Sequence, residues 1–396
     1  MLDSAVKNQA LLAMAAALEA KTPKILQANF LDRQRARQNK LSAALLDRLT
    51  LNEKRVQAMA EGLRALTKLP DPNNRVLEKI RRPNGLRIEK ISVPLGVIAT
   101  IYEARPNVTA DAAGLCFKAG SASLLRGGSD AAESNKIIAA TLRQALQARG
   151  LPPDIIQNIE SADRHAVGEL LNLREYIDLL IPRGGAGLIQ KVVRESSIPV
   201  IETGTGNCHV YVDESARLKK ALNIALNAKL SRPSVCNAAE TLLVHEKIAA
   251  KFLPQILQAY QKAGVKIHGC VKTRKYNPAV LPATPEDYAR EYLDLEIAVK
   301  VVADIDEALE HIYRYGTKHS EAIVTENKQN AEKFLQKVDA AAALVNASTR
   351  FVDGGEFGFG CEIGISTQKL HARGPMGLRE LMSYKYFVHG KGQIRK

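Results

Sequence analysis

The 396 residues carry 56 Lys and Arg against 42 Asp and Glu, a net charge of +14, and are 46% hydrophobic and 25% charged. That is enough apolar material for two or three domains with cores of their own, in the proportions of an ordinary globular protein. The most apolar early run, LLAMAAAL at 11–18, is too short to cross a bilayer and is framed by Asn8, Gln9, Glu19 and Lys21. It reads as part of a first amphipathic helix rather than a signal peptide, and the expected location is cytoplasmic. The five cysteines, Cys116, Cys208, Cys236, Cys270 and Cys361, lie far apart without a CxxC pair, so neither a zinc site nor a redox pair is indicated and free thiols fit best. The densest basic clusters, RQRAR at 33–37 and KIRR at 79–82, are short and not interleaved with aromatics, so nucleic acid is not an expected partner. An anionic cofactor with an anionic substrate accounts equally well for a basic field.

In chain order, GLRIEKISVPL (85–95) alternates polar and apolar residues after Asn84-Gly85, which reads as a hairpin strand. LGVIATI (95–101) is a buried strand, followed by a helix over 109–118, a strand ASLLRG (122–127) and a long helix over 130–149 that stops at Gly150. IIQNIE, DLLIPRGG and IPVIETG continue the strands. A second series, CHVYVD, ETLLVH, EIAVKVV, EAIVTEN and AALVNAS, alternates with helices near 215–229, 246–263, 304–315 and 327–338. The Pro-bearing stretch 269–290 reads as a loop. The expectation is α/β, two doubly wound domains over 1–204 and 205–366, with 367–396 as a C-terminal return.

A free cysteine is ordinarily a small core hydrophobe. Cys116, Cys208 and Cys361 read that way, and Cys270 reads as a loop thiol. Cys236, in SRPSVCNAAETLLVH (231–245), stands instead in a polar bend with Arg232, Ser234 and Asn237, and a nearby cation favours a nucleophilic thiolate.

Around that cysteine the motifs fall in a fixed order: IYEARPNVTAD with Asn107, IPRGGAGL, IETGTGNC with Glu202, the Cys236 bend, and EYLDLEIAVKVV with Glu291. This order resembles the aldehyde dehydrogenase superfamily over nearly the whole chain. NASTRFVDGGEFGFG (346–360) and STQKLHARGPMGL (366–378) resemble, within it, the branch that reduces L-glutamyl 5-phosphate in proline biosynthesis. The resemblance implies an aldehyde dehydrogenase-like fold with Cys236 as nucleophile and Asn107 as the side-chain donor to the oxyanion. It implies NADP as cofactor. Arg126 and Ser129 then stand at the adenosine ribose, where serine replaces a carboxylate that would repel a 2′-phosphate. Arg183, Gly184 and Gly185 stand at the pyrophosphate and Glu291 at the nicotinamide ribose. Arg105, Glu202, Arg232, Arg350, His371 and Arg373 are candidates for holding substrate. Glu202 has no expected role as a water-activating base, because phosphate rather than water takes the acyl group. No metal is implied.

The hairpin near 83–96 and the C-terminal strand imply a small oligomerisation element, hence a homodimer or homotetramer. Association with glutamate 5-kinase, and an N-terminus that lacks a short lead-in, belong to the same expectation. Two other readings remain: a dehydrogenase of a different semialdehyde or acyl phosphate, and a non-catalytic basic binding protein.

Overall fold

The computed structural model describes residues 2–160 and 163–395. The chain divides into two units: 1–203 with 358–364 and 370–396, and 204–357 with 365–369.

The first unit begins with four helices, α1 (Ser4–Ala20), α2 (Thr22–Gln38), α3 (Ala43–Leu49) and α4 (Glu53–Lys68). In α1 the buried positions Lys7, Ala10, Leu11, Met14, Ala15 and Leu18 recur at helical spacing, so one stripe faces the core. Two strands follow, β1 (Val76–Arg81) and β2 (Arg87–Pro94), antiparallel and joined through Asn84 and Gly85, where Gly85 takes a φ of +88°. The C-terminal strand Met382–His389 adds to β2 and completes a three-stranded sheet.

The main sheet of this unit holds β3 (Val97–Tyr102), β4 (Ala122–Gly127), β5 (Ile156–Asn158) and β6 (Leu179–Arg183), all parallel, in the order β5-β4-β3-β6. Helices α5 (Asn107–Ala119), α6 (Ala132–Gln147), α7 (Arg164–Leu170) and α8 (Ala186–Glu195) connect or follow the strands. The chain runs outward from β3 to β5 and returns to β6 on the other side of β3. This puts a topological switch at the carboxyl ends of β3 and β6, where open parallel sheets ordinarily bind ligands. Helix α5 is buried from Val108 to Ala119 except at the half-buried Asp111. Its Gly114 lies against α4 so closely that a Cβ there would overlap Leu63. The segment IPVIETG, expected as a strand, makes only one isolated bridge, Val200 to Leu180. Ile198 and Ile201 are buried, but Pro199 removes a ladder donor.

The second unit is a seven-stranded parallel sheet of β7 (Cys208–Val212), β8 (Ala239–His245), β9 (Lys266–Gly269), β10 (Leu281–Pro282), β11 (Glu296–Val302), β12 (Ser320–Val324) and β13 (Ala342–Val345), in the order β10-β9-β11-β8-β7-β12-β13. Helices α9 (Leu218–Leu230), α10 (Glu246–Lys262), α11 (Ile305–Tyr315) and α12 (Lys328–Lys337) cover it. Strand β9 was not anticipated. The stretch 269–290 is also more ordered than a loop, with short helices at Val271–Arg274 and Pro285–Ala289 around β10. Each of these pieces is too short to show a period.

Beneath β8 lies a buried ion pair. Lys229 Nζ meets Glu240 Oε2 at 2.6 Å with both side chains fully enclosed, and Glu240 Oε1 accepts from the Leu293 N–H at 3.1 Å. Burial pushes the Glu240 carboxyl up to about 7, against the pull of Lys229. Because that value lies above the unfolded one, the fold gains most from this group in acid and loses the gain as pH rises through about 7. Removing the lysine strands a carboxylate in the core. Lys229→Met is therefore expected to cost about 3–5 kcal/mol at pH 8 and markedly less near pH 5, as read from urea unfolding at the two pH values.

Candidate active site

Cys236 sits in the bend between α9 and β8 and is half-buried, whereas Cys116, Cys208 and Cys361 lie in the core. Burial raises the Cys116 thiol to about 12 and lifts Cys208 and Cys361 well above the ordinary thiol range. Cys270 is half-buried too, but its sulfur lies 3.3 Å from the Thr273 hydroxyl and accepts from the Val301 N–H at 3.4 Å.

The Cys236 bend is held from several sides within its own unit. The Cys208 thiol donates to the Cys236 carbonyl at 3.1 Å. Gly206 packs so tightly onto that carbonyl that a Cβ would fall inside it. Gly206 is itself fixed by its N–H, which donates to Glu291 Oε1 at 2.7 Å. On the other side Arg350 donates through Nε to Ser231 Oγ at 3.0 Å and through Nη1 to Asn237 Oδ1, while Asn237 Nδ2 donates to the Val352 carbonyl at 2.8 Å. Arg350 and Cys236 act on each other electrostatically, as do Arg350, Arg232 and Asp353. A fixed cation beside a thiol favours the thiolate.

This bend lies at the amino ends of β7 and β8. The opposite end, the switch point of the second sheet, is filled by Asp213, which accepts from Ser215 Oγ at 2.8 Å, Thr325 Oγ1 at 2.7 Å and Asn330 Nδ2 at 3.0 Å.

In the first unit, Asn107 opens α5 after Arg105 and Pro106. It is exposed, and its Nδ2 donates to Asp111 Oδ2 one turn on at 2.9 Å. Glu103 follows β3. Its carboxylate accepts from the Gly185 N–H at 2.8 Å and lies against Gly184, where a Cβ would come within 2.5 Å of Glu103 Oε2. The glycine turn therefore receives a protein carboxylate at the head of α8. The Arg183 side chain runs past Gly364, where a Cβ would come within 2.7 Å of Arg183 Nη1, and its charge acts on Asp111.

At the carboxyl ends of β4 and β5 and the start of α6 is a pocket of about 120 Å³. Gly127, Gly128, Ser129, Asn135, Lys136 and Asn158 line it, with Glu133 and Glu160. Asn135 Nδ2 and Asn158 Oδ1 are buried there without a hydrogen-bond partner. Its carboxylates are already engaged, Glu160 with Lys136 at 2.7 Å and Glu133 with Arg35 at 3.6 Å. The unpaired amide atoms and the small Ser129 fit a ribose, while the Lys136 ammonium is paired with Glu160. Arg126 is not among the lining residues. It is buried on β4, with Nη2 3.5 Å from the Asp163 carbonyl. Asn135 and Lys136 were missed from sequence; their signal was position in the first turn after the Gly-Gly-Ser motif.

Of the remaining candidates, Glu202 is half-buried and Arg232 is exposed. His371 Nε2 lies 3.1 Å from the Glu380 carbonyl, a contact within the C-terminal segment, and Arg373 is half-buried beside it in sequence. Among the described residues no group of three or more His, Cys, Asp or Glu could hold a metal ion, and no helix is long and apolar enough to cross a membrane.

Residues 9–278 match the aldehyde dehydrogenase family. The chain belongs to the aldehyde dehydrogenase family. It is 58% identical to gamma-glutamyl phosphate reductase of Halothermothrix orenii, covering 99% of this chain and 94% of that one. It is 59% identical to the protein of the same name from Moorella thermoacetica, covering 100% and 94%. The crystal structure of gamma-glutamyl phosphate reductase from Thermotoga maritima superposes with a TM-score of 0.95 at 52% identity, over 100% of this chain and 95% of that one. The two parallel sheets are thus those of an aldehyde dehydrogenase-family oxidoreductase.

The packing at Gly206 yields a test. Gly206→Ala is expected to cost about 1–3 kcal/mol and to change the rate at which iodoacetamide labels Cys236, followed by peptide mass spectrometry. Gly187→Ala, where a Cβ meets nothing within 4 Å, is expected to change neither.

Proposed function

We propose that this chain reduces L-glutamyl 5-phosphate to L-glutamate 5-semialdehyde and inorganic phosphate, with NADPH, in L-proline biosynthesis. One observation carries the reading: Cys236 is the half-buried thiol in a polar bend beside the Arg350 cation, while three of the other cysteines are core residues. The full-length likeness to relatives named gamma-glutamyl phosphate reductase supports the substrate.

The Cys236 thiolate attacks the acyl carbon. Negative charge develops on the carbonyl oxygen, and Asn107 Nδ2 and the Cys236 backbone N–H are the proposed donors to it. The carbon–oxygen bond to phosphate breaks, inorganic phosphate leaves, and a thioester remains on Cys236. NADPH, when bound, supplies the hydride that reduces this thioester. The thiohemiacetal then collapses, releasing the semialdehyde and regenerating the thiolate. Phosphate departs before any water is needed, so Glu202 is assigned to substrate binding and not to general-base catalysis. Arg105, Arg232, Arg350, His371 and Arg373 are the proposed cationic contacts to the phosphoryl and α-carboxylate groups.

The pocket beside Ser129 is the proposed place for the adenosine ribose, with Lys136 and Ser129 toward the 2′-phosphate and Arg126 as a supporting charge. Gly184, Gly185 and Arg183 are assigned to the pyrophosphate and Glu291 to the nicotinamide ribose. The first assignment requires Glu103 to yield the Gly185 N–H.

A homodimer or homotetramer built on the three-stranded sheet agrees with the exposure of Tyr384, Tyr386, Phe387 and Val388 on its C-terminal strand. Such runs of exposed apolar residues mark interaction surfaces. Association with glutamate 5-kinase, which would hand over a labile acyl phosphate, and a cytoplasmic location complete the proposal.

The test is the reverse reaction: NADPH formation from glutamate 5-semialdehyde, with and without inorganic phosphate. Strict phosphate dependence, lost in Cys236→Ser, is the expected result. Turnover without phosphate would indicate a hydrolytic dehydrogenase and overturn the assignment. For the cofactor, Lys136→Ala is expected to raise the KM for NADP about 10-fold, in keeping with one lost charge-assisted hydrogen bond, and to leave the KM for NAD nearly unchanged.

A further inference from the structure

Asn107 is proposed above as an oxyanion donor, yet a side-chain amide presents an N–H₂ on one side and a carbonyl oxygen on the other. Only one of its two orientations can stabilise an anion. The structure shows what could choose between them. Asn107 and Asp111 are four residues apart on α5, so they share one face of the helix, and Asn107 Nδ2 donates to Asp111 Oδ2 at 2.9 Å. A carboxylate accepts hydrogen bonds and cannot donate them. It attracts the amide N–H₂ and repels the amide oxygen.

We infer, resting on the functional reading above, that Asp111 is the positioning residue for Asn107: its carboxylate takes one N–H of the amide and leaves the other aimed for the substrate oxyanion. Protonation removes this selection, because a neutral carboxyl can donate to the amide oxygen and so tolerates the reversed orientation.

The surroundings tie that protonation to the working pH range. Burial raises Asp111 to about 6, against the lowering effects of the Asn107 hydrogen bond and of Arg183 at the end of β6. Glu362 raises it further, and the Cys361 thiol next to Glu362 also acts on it. From α4, Gly62 lies near it, with a Cβ position 3.8 Å from Asp111 Oδ1.

The experiment is a double-mutant cycle in the reverse assay, with Asn107→Ala, Asp111→Ala and the double variant, and with Asp111→Asn as the conservative substitution. Asp111→Ala is expected to lower kcat about 10-fold at unchanged KM, less than loss of the donor itself. The double variant is expected to be no slower than Asn107→Ala, as for residues that act as one unit. Asp111→Asn, a neutral side chain whose N–H₂ can donate to the Asn107 amide oxygen as a protonated carboxyl can, is expected to hold kcat at every pH at the lowered level the wild type reaches in acid. It is also expected to lose the fall in kcat that the wild type shows below about pH 6. An Asp111→Ala effect that persists undiminished in the Asn107→Ala background, or that falls on KM alone, would overturn the inference.

A second readout does not need turnover. In protein labelled with ¹⁵N-asparagine, the Asn107 side-chain amide resonance is expected to titrate with a midpoint near pH 6 in the wild type and not in Asp111→Asn. A flat resonance in the wild type would refute the coupling. If the wild type shows no phosphate-dependent turnover, the functional reading falls, and the resonance still decides whether Asp111 governs the Asn107 amide.

Discussion

The enclosed contact between Lys229 and Glu240 is the constraint on which the Cys236-bearing unit depends. Lys229 is in the last turn of α9 and Glu240 in the first residues of β8, so the pair ties together the two ends of the bend that carries Cys236. Such a pair is a poor source of stability, since desolvation offsets most of its attraction. Its effect is geometric. The second oxygen of Glu240 holds the Leu293 N–H, two residues from Glu291, and Glu291 holds Gly206 against the Cys236 carbonyl. A line of part-buried contacts thus runs from one ion pair to the backbone of Cys236, and Arg350 braces the other side through Ser231 and Asn237.

The first unit solves a different problem with the same materials. Its parallel sheet leaves a switch point at the ends of β3 and β6. Glu103 takes up one backbone N–H of the glycine turn there, where the positive end of α8 favours an anion. Helix α5 passes through the core with small residues and Gly114 against α4, which allows its first turn to emerge at that same sheet end. Two of its polar residues, Asn107 and Asp111, come out together because four residues make about one helical turn.

The candidate site was legible where the chemistry is local. Cys236 could be separated from Cys116 and Cys361 by the polarity of its neighbours alone, and the structure buries those two. Asn107 could be placed at a strand-to-helix turn for the same reason. Arg126 shows the limit: the family resemblance implies a contact to the adenosine ribose, but on β4 its side chain is buried outside the pocket that Ser129 lines. Arg183 likewise turns toward Asp111 and Gly364. Lys136, Glu103 and Asp111 went unread because nothing in their own windows distinguishes them from ordinary surface charges.

By itself the sequence determined the alternation of strands and helices, and with it the α/β class, because side-chain period and turn residues act over a few positions. It also determined which thiol stands in a polar bend. Only the tertiary structure decided which polar groups meet: Lys7 with Asp71, Lys229 with Glu240, Arg350 with Asn237. The members of the first and last of these pairs lie 64 and 113 residues apart. Hydrogen bonds and ion pairs depend on distance in space, so their partners are chosen when the sheets and helices pack.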